Sequence, residues 1–173
     1  MPHSRRHFLK SAALGSAGAT ALLNSCASRQ QAATQTGGGG LALLDEALAR
    51  PVLKKELFPD PVVLDRVELL HHQGNFICRV TSTDGAEGLS VSNNYQMRHL
   101  YPIFVNRLQP FFKGKDARDW ERLLNEVYVY KSNYKLQNLA LWVPLATMEF
   151  AVLDLLGQIA GKPIGQLIGD IHH

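Results

Sequence analysis

The stretch ALWVPLATMEFAVLDLLGQIAGKPIGQLIG, residues 140–169, decides the fold. From Leu145 to Ala160 it is apolar nearly all round, as in a helix buried on most sides. Pro144 fits early in such a helix, where its missing N–H would have no partner anyway. Gly161 with Pro163 ends it. At about 100° per residue, Thr147, Ala151, Asp154 and Gln158 fall on one narrow stripe. Glu149 projects from the opposite, apolar side, where a carboxylate needs a partner or keeps its proton. Gly157 and Gly161, four apart, leave bare surface where another backbone can come close. Glu149 and Asp154 read as structural acids, because an acid on a packed helix usually pairs with a cation or caps a backbone group.

Upstream, period two replaces the helical period. Val62 to Leu70 alternates Val63, Val67 and Leu69 against Arg66 and Glu68, which reads as a strand. His71-His72-Gln73-Gly74 reads as a loop. In the next strand Phe76, Cys78 and Val80 share one face, so Cys78 is a small core residue, with Arg79 and Thr81 on the other. Thr83-Asp84-Gly85 signals a hairpin turn, and Gly88 to Val91 is the return strand. Asn93 to Gln96 is polar and loop-like. Leu100, Ile103, Phe104, Leu108 and Phe111 then recur at helical spacing. Asp116 is placed to cap a further helix, with Asp119 where a capping-box acid belongs. Trp120, Leu123, Leu124 and Val127 form that helix's apolar face, and Ser132 to Asn138 is a polar connector. The expected fold is therefore α+β: a three-stranded antiparallel meander followed by a bundle of about three helices.

Two motifs carry a family resemblance. The pattern Glu149-x-Ala151-x-x-Asp154-x-x-Gly157-x-x-x-Gly161-x-Pro163-x-x-x-Leu167-x-Gly169 resembles the end of the N-terminal capping domain in the enolase superfamily, in its mandelate racemase and muconate lactonizing enzyme branch. Leu108-x-Pro110-Phe111-Phe112-x-Gly114-Lys115-Asp116 resembles that domain's signature between its first two helices. The sequence departs from the pattern at Gln158, where Lys is common, and at Asp170, where a second Gly is usual. The resemblance spans Pro61 to Asp170, and Pro59-Asp60-Pro61 marks the expected domain start.

The first 26 residues are different in kind. Ser4-Arg5-Arg6-His7-Phe8-Leu9-Lys10 and the Ala/Gly-rich run to Leu23 look like a twin-arginine export signal. Arg5 and Arg6 would be its recognition pair. Leu23-Asn24-Ser25-Cys26 resembles a lipoprotein processing site, with Cys26 as the lipid-bearing residue; simple cleavage near Ala27-Ser28 is the other reading. Residues 27–60 read as a flexible tether, ending in four glycines, plus a short amphipathic helix built on Leu41, Leu44 and Leu48. The expected location is periplasmic, or lipid-anchored at the cell envelope. The net charge of +3 comes from Arg5, Arg6 and Lys10; the remainder carries 15 basic and 15 acidic residues. No basic patch with interleaved aromatics is visible, which argues against nucleic acid. Two cysteines make no disulfide framework.

The resemblance implies a longer protein. In the family, a (β/α) barrel follows the capping domain and holds Mg²⁺ on three carboxylates, together with the acid and base that move a proton beside a substrate carboxylate. The sequence stops at His172-His173, where the first barrel strand is expected. No catalytic residue, metal ligand or cofactor site is therefore expected in these residues, and Mg²⁺ is expected in the barrel. Lys113-Gly-Lys115 has the letters of a catalytic Lys-x-Lys motif but lies in an interhelix turn. Two capping-domain loops close over the barrel mouth in the family. The meander places them near residues 71–74 and 92–101, with His71, His72, Asn93, Asn94 and Tyr95 as the candidates for substrate contact. Solvated loop residues without a partner are the plainer reading. Adjacent histidines on an extended strand point to opposite sides, which disfavours joint metal ligation. The implied partners are the barrel, a small carboxylate substrate and further copies of the enzyme. The competing expectation is a stand-alone exported or lipid-anchored binding module without catalysis.

Overall fold

The computed structural model describes residues 38–169. Arg5, Arg6, Cys26, Asp170 and the terminal His172-His173 lie outside them. Among the described residues, 38–50 and 51–169 form two separate units. In the first, helix α1 (Gly38–Ala49) carries exposed Leu41, Leu43, Leu44 and Leu48, and Arg50 pairs with Glu46 at 2.7 Å.

The second unit is the predicted meander and helices. Strands β1 (Leu64–His72), β2 (Asn75–Ser82) and β3 (Glu87–Val91) form an antiparallel sheet in the order β1-β2-β3. Helix α2 (Asn94–Ile103) runs through a π-helical turn at Phe104–Leu108 into α3 (Gln109–Phe112). Pro110 has no N–H for the preceding turn, and the Gln109 N–H reaches back to the Phe104 carbonyl, five residues away. Helices α4 (Trp120–Val129), α5 (Leu139–Ala160) and the short α6 (Ile164–Ile168) complete the unit.

Helix α5 is the core element, burying Leu141, Leu145, Met148, Val152, Leu155 and Leu156. Half of it is buried inside the unit, so its length and apolarity, sufficient for a membrane span, are accounted for by a core role. Its predicted stripe does dock on the sheet. The Leu89 N–H of β3 donates to Asp154 Oδ2 at 2.8 Å, and the Ser90 hydroxyl donates to the Thr147 carbonyl at 2.5 Å. Glu149 has the partner its position demanded: the Trp120 indole N–H donates to it at 3.0 Å. Gly157 is approached by backbone, with the Lys162 carbonyl 2.9 Å from where a Cβ would stand. Gly161 adopts φ +62° and closes the helix, as only glycine does readily.

Several local expectations are corrected. In β1 the inward residues are Leu64 and Val67 rather than Val63 and Val67, because a bulge between Leu64 and Arg66 shifts the pleat by one residue. Thr81 is buried, at 4% exposure, rather than on an open face. Asp119 makes no capping box. It binds Lys55 at 2.9 Å and Arg122 at 2.7 Å, while Asp116 alone caps the turn by accepting the Arg118 N–H. Packing also reaches upstream of Pro59-Asp60-Pro61: Leu53 and Phe58 are core residues, and the Lys54 N–H donates to the Leu167 carbonyl at 2.8 Å. The connector before α5 is held from inside. Buried Asn133 donates to the Val127 carbonyl and accepts from Arg107, and Lys131 and Ser132 take positive φ between them.

The Arg122 and Lys55 partners hold the Asp119 carboxyl down at about 2, against an ordinary 3.8. Burial works against the charge of Asp116, but the Arg118 guanidinium and the N–H groups of Arg118 and Val62 outweigh it, so its carboxyl also lies low. A depressed acid stabilises the fold above its unfolded value and loses that contribution as pH falls through its folded value.

Two outcomes follow. Gly88 packs so closely on α5 that a Cβ would stand 2.2 Å from the Ala151 carbonyl oxygen and 2.4 Å from the Leu155 nitrogen. Gly88→Ala should cost about 3 kcal/mol or more in urea denaturation, whereas Gly165→Ala, in open space within α6, should be neutral or slightly stabilising. Asp119→Asn should lower Tm at pH 6, and the gap from the native protein should close between pH 4 and pH 2; a pH-independent gap would contradict the ion-pair account.

Candidate functional site

The two predicted substrate-facing segments meet at one end of the sheet. His71 and His72 are not loop residues: β1 continues through them, and they pair with Phe76 and Asn75 across the hairpin. The connection is a two-residue turn, Gln73 at φ +49° and Gly74 at φ +80°, the paired positive values of a type I′ turn. Asn93 and Asn94 are not loop residues either. Asn93 is the N-cap of α2, its side chain accepting the Gln96 N–H at 3.2 Å, and Asn94 begins the helix. A capping Asn followed by Leu100, Ile103 and Phe104 at helical spacing was the available signal for this start.

Asn94 joins the two segments. Its Oδ1 accepts the Phe76 N–H at 2.7 Å, and its Nδ2 donates to Asn75 Oδ1 at 2.7 Å. Beside this bridge three rings lie in series. His71 is 4.4 Å from Phe76 between centroids, and Phe76 stacks on Tyr101 at 6.2 Å and 15°. Phe76 is buried, while His71 and Tyr101 present exposed edges. Tyr95 is exposed on the first turn of α2, with the Arg98 guanidinium 5.6 Å over its ring. The structure therefore brings His71, Asn94 and Tyr101 into one surface, with His72 and Tyr95 at its margins. Tyr101 was missed from sequence, although seven residues after Asn94 places it on the same face of a helix.

This surface has aromatic edges, imidazoles and amides, suited to orienting a ligand and excluding water. Among the described residues no three His, Cys, Asp or Glu side chains converge as metal ligands. Asp116, Asp119 and Glu126 are engaged with Arg118, Lys55 and Arg122 respectively. Cys78 is no nucleophile in the folded chain: burial pushes its thiol up to about 12.

A second surface lies on the outer side of α5. Leu139, Trp142 and Phe150 are each about half exposed there. Trp142 stacks on Tyr128 of α4 at 6.0 Å, beside an open groove of about 560 Å³ that Asn125, Gln137 and Asn138 also line. Trp120, Glu149, Leu153 and Ile168 line a smaller groove of about 260 Å³.

No family model matches the chain. A D-galactonate dehydratase family member from Paenibacillus sp. (strain JDR-2) is 33% identical over 91 residues, 52% of this chain and 22% of that protein. Among solved structures, a candidate racemase from Roseobacter denitrificans matches at 26% identity and a TM-score of 0.54, over 60% of this chain and 28% of that one. A mandelate racemase/muconate lactonizing protein from Paracoccus denitrificans Pd1222 matches at 24% identity and 0.53, over 64% and 31%. The fold is that of an enolase-superfamily N-terminal domain. A muconate cycloisomerase from Azorhizobium caulinodans shares this fold, at 18% identity and a TM-score of 0.54. The chain spans about a fifth of the curated relative's length and under a third of each of these solved chains. What it matches is one part of longer enzymes.

The thiol gives a direct check on the folded core. Cys78 should resist iodoacetamide at pH 8, by peptide mapping, and become fully reactive in 6 M guanidinium; native-state labelling at the rate of a free thiol would contradict its burial.

Proposed function

We propose that residues 61–173 form the capping domain of an exported enzyme of the mandelate racemase/muconate lactonizing type. The reaction is proton abstraction beside a small substrate's carboxylate, leading to racemisation, cycloisomerisation or dehydration. The observation that carries this reading is the domain's match to one part of such enzymes, together with the exposed apolar side of α5. A 22-residue helix that is half buried and exposes Leu139, Trp142 and Phe150 presents an apolar patch that fits a cover. The barrel of the same enzyme is that cover in this proposal.

The division of labour follows from the side chains present. In this reading Mg²⁺ and the proton-transferring pair belong to the barrel. Held there, Mg²⁺ would supply Lewis-acid stabilisation of negative charge on the substrate carboxylate. The capping domain contributes His71, His72, Tyr95 and Tyr101 at the barrel mouth. There they contact parts of the substrate remote from the reacting carbon and keep water out, so remote binding energy serves the chemical step. Asn93 and Asn94 already bond the backbone and act from behind this surface. Arg5 and Arg6 direct export by the twin-arginine route, and Cys26 carries a lipid anchor if the leader is processed as a lipoprotein rather than cleaved near Ala27-Ser28. Further copies of the enzyme complete the assembly.

The test is α-proton exchange by the full-length protein in D₂O with Mg²⁺, using a panel of small carboxylates that includes D-galactonate, mandelate and muconate. Deuterium should appear beside the carboxylate of at least one, and EDTA should abolish it. The 173-residue chain alone should exchange none. His71→Ala should lower kcat/KM by about tenfold, the worth of one good polar contact. A full-length protein that folds, binds Mg²⁺ and exchanges nothing across the panel would favour a binding module instead.

A further inference from the structure

We infer that Asn94 is a positioning residue that makes the hairpin tip and the start of α2 one body, and thereby sets where the His71 ring faces a ligand. The inference deepens the capping-domain reading and rests on it for the identity of the ligand, but its structural content stands on contacts internal to the unit. A two-residue hairpin at a sheet end is ordinarily a fraying element, because its last pairs have few neighbours. Here the tip is held from the side. The Phe76 N–H, at the start of β2, donates to Asn94 Oδ1, and the Phe76 carbonyl accepts the Ser92 N–H at 2.9 Å. Both backbone groups of one tip residue are thus bound by the segment that leads into α2. The second amide arm reaches Asn75, the residue opposite His72.

The clamp continues inward. Ser92 is buried, its hydroxyl 3.1 Å from that of Thr147 on α5. The tip is therefore referred to the core helix through Phe76, Ser92 and Thr147. It is referred outward through the His71–Phe76–Tyr101 ring series. His71 has no hydrogen bond of its own among the described residues; its position follows from Phe76, and Phe76 is placed by Asn94. An Asp at position 94 would keep the acceptor for Phe76 and lose the donor to Asn75. An Ala would lose both.

The experiment is amide-resolved hydrogen exchange on the intact protein, with the imidazole resonances of His71 followed in parallel. In Asn94→Ala the Phe76 amide should exchange about tenfold faster, the size of one lost hydrogen bond. Cys78 and Val80 should be unchanged, and the His71 and Tyr101 ring resonances should move. Asn94→Asp should retain protection at Phe76. Unchanged Phe76 exchange in Asn94→Ala, or acceleration spread evenly along β2, would overturn the inference, since the second pattern is a plain loss of global stability. With a carboxylate that the native enzyme turns over, Asn94→Ala should raise KM more than it lowers kcat, with Asn94→Asp restoring much of KM. A loosened tip with unaltered KM would also overturn the positioning role. If the native protein exchanges no α-proton, the capping-domain reading fails by itself, and the exchange pattern alone decides Asn94.

Discussion

The close approach of β3 to α5 is the constraint on which the rest of the unit depends. At Gly88 the strand lies directly on the helix backbone, leaving no room for a side chain. That distance lets Asp154 reach the Leu89 N–H and Ser90 reach the Thr147 carbonyl. An exposed strand edge, normally a liability, is thereby covered by its own core helix. It also fixes the helix rotation. With Thr147, Ala151 and Asp154 turned to the sheet, Met148, Val152 and Leu155 remain in the core, and Trp142, Glu149 and Phe150 turn outward. One contact thus determines both the packed interior and the apolar surface that stays exposed.

The same geometry explains the polar residues of the helix. Asp154 is an acceptor for backbone at a sheet edge, and Glu149 is an acceptor for the Trp120 indole. Glu149 satisfies a donor of the buried Trp120 that would otherwise lose its hydrogen bond, and Asp154 pairs a donor on the edge strand. Neither needs a catalytic role to account for its place.

Legibility in the sequence followed the range of the interaction. The period of α5, the Thr83-Asp84-Gly85 turn and the alternation in β2 are local patterns, and each appears where the residues place it. The errors fell where long-range pairing sets a local outcome. A bulge beside Leu64 exists because Val62, Leu64 and Gly114 to Ala117 exchange hydrogen bonds from fifty residues apart. The exception is local: His71 and His72 are strand because Phe76 and Asn75, five and three residues on, pair with them across a two-residue turn. Asp119 leaves its capping position for Lys55 and Arg122, and the first of these lies 64 residues away. Within the candidate site, the segments were readable, but the bridge between them was not. Nothing in the spacing of Asn75 and Asn94 announces that their amides meet.

This distinction bears on which residues of the unit can change without moving its backbone. The residues that bind backbone, Asn93 and Asn94, are geometrically committed, and replacing them moves a whole segment. His71, His72, Tyr95 and Tyr101 are not committed in this way, since their polar ends make no hydrogen bond among the described residues. They can change identity while the frame beneath them stays in place. The exposed side chains thus sit on a backbone whose clamp is held by Phe76, Ser92 and Thr147 rather than by themselves. The buried Phe76 ring is the point at which frame and surface touch. It belongs to the core on one side and carries the His71 and Tyr101 rings on the other.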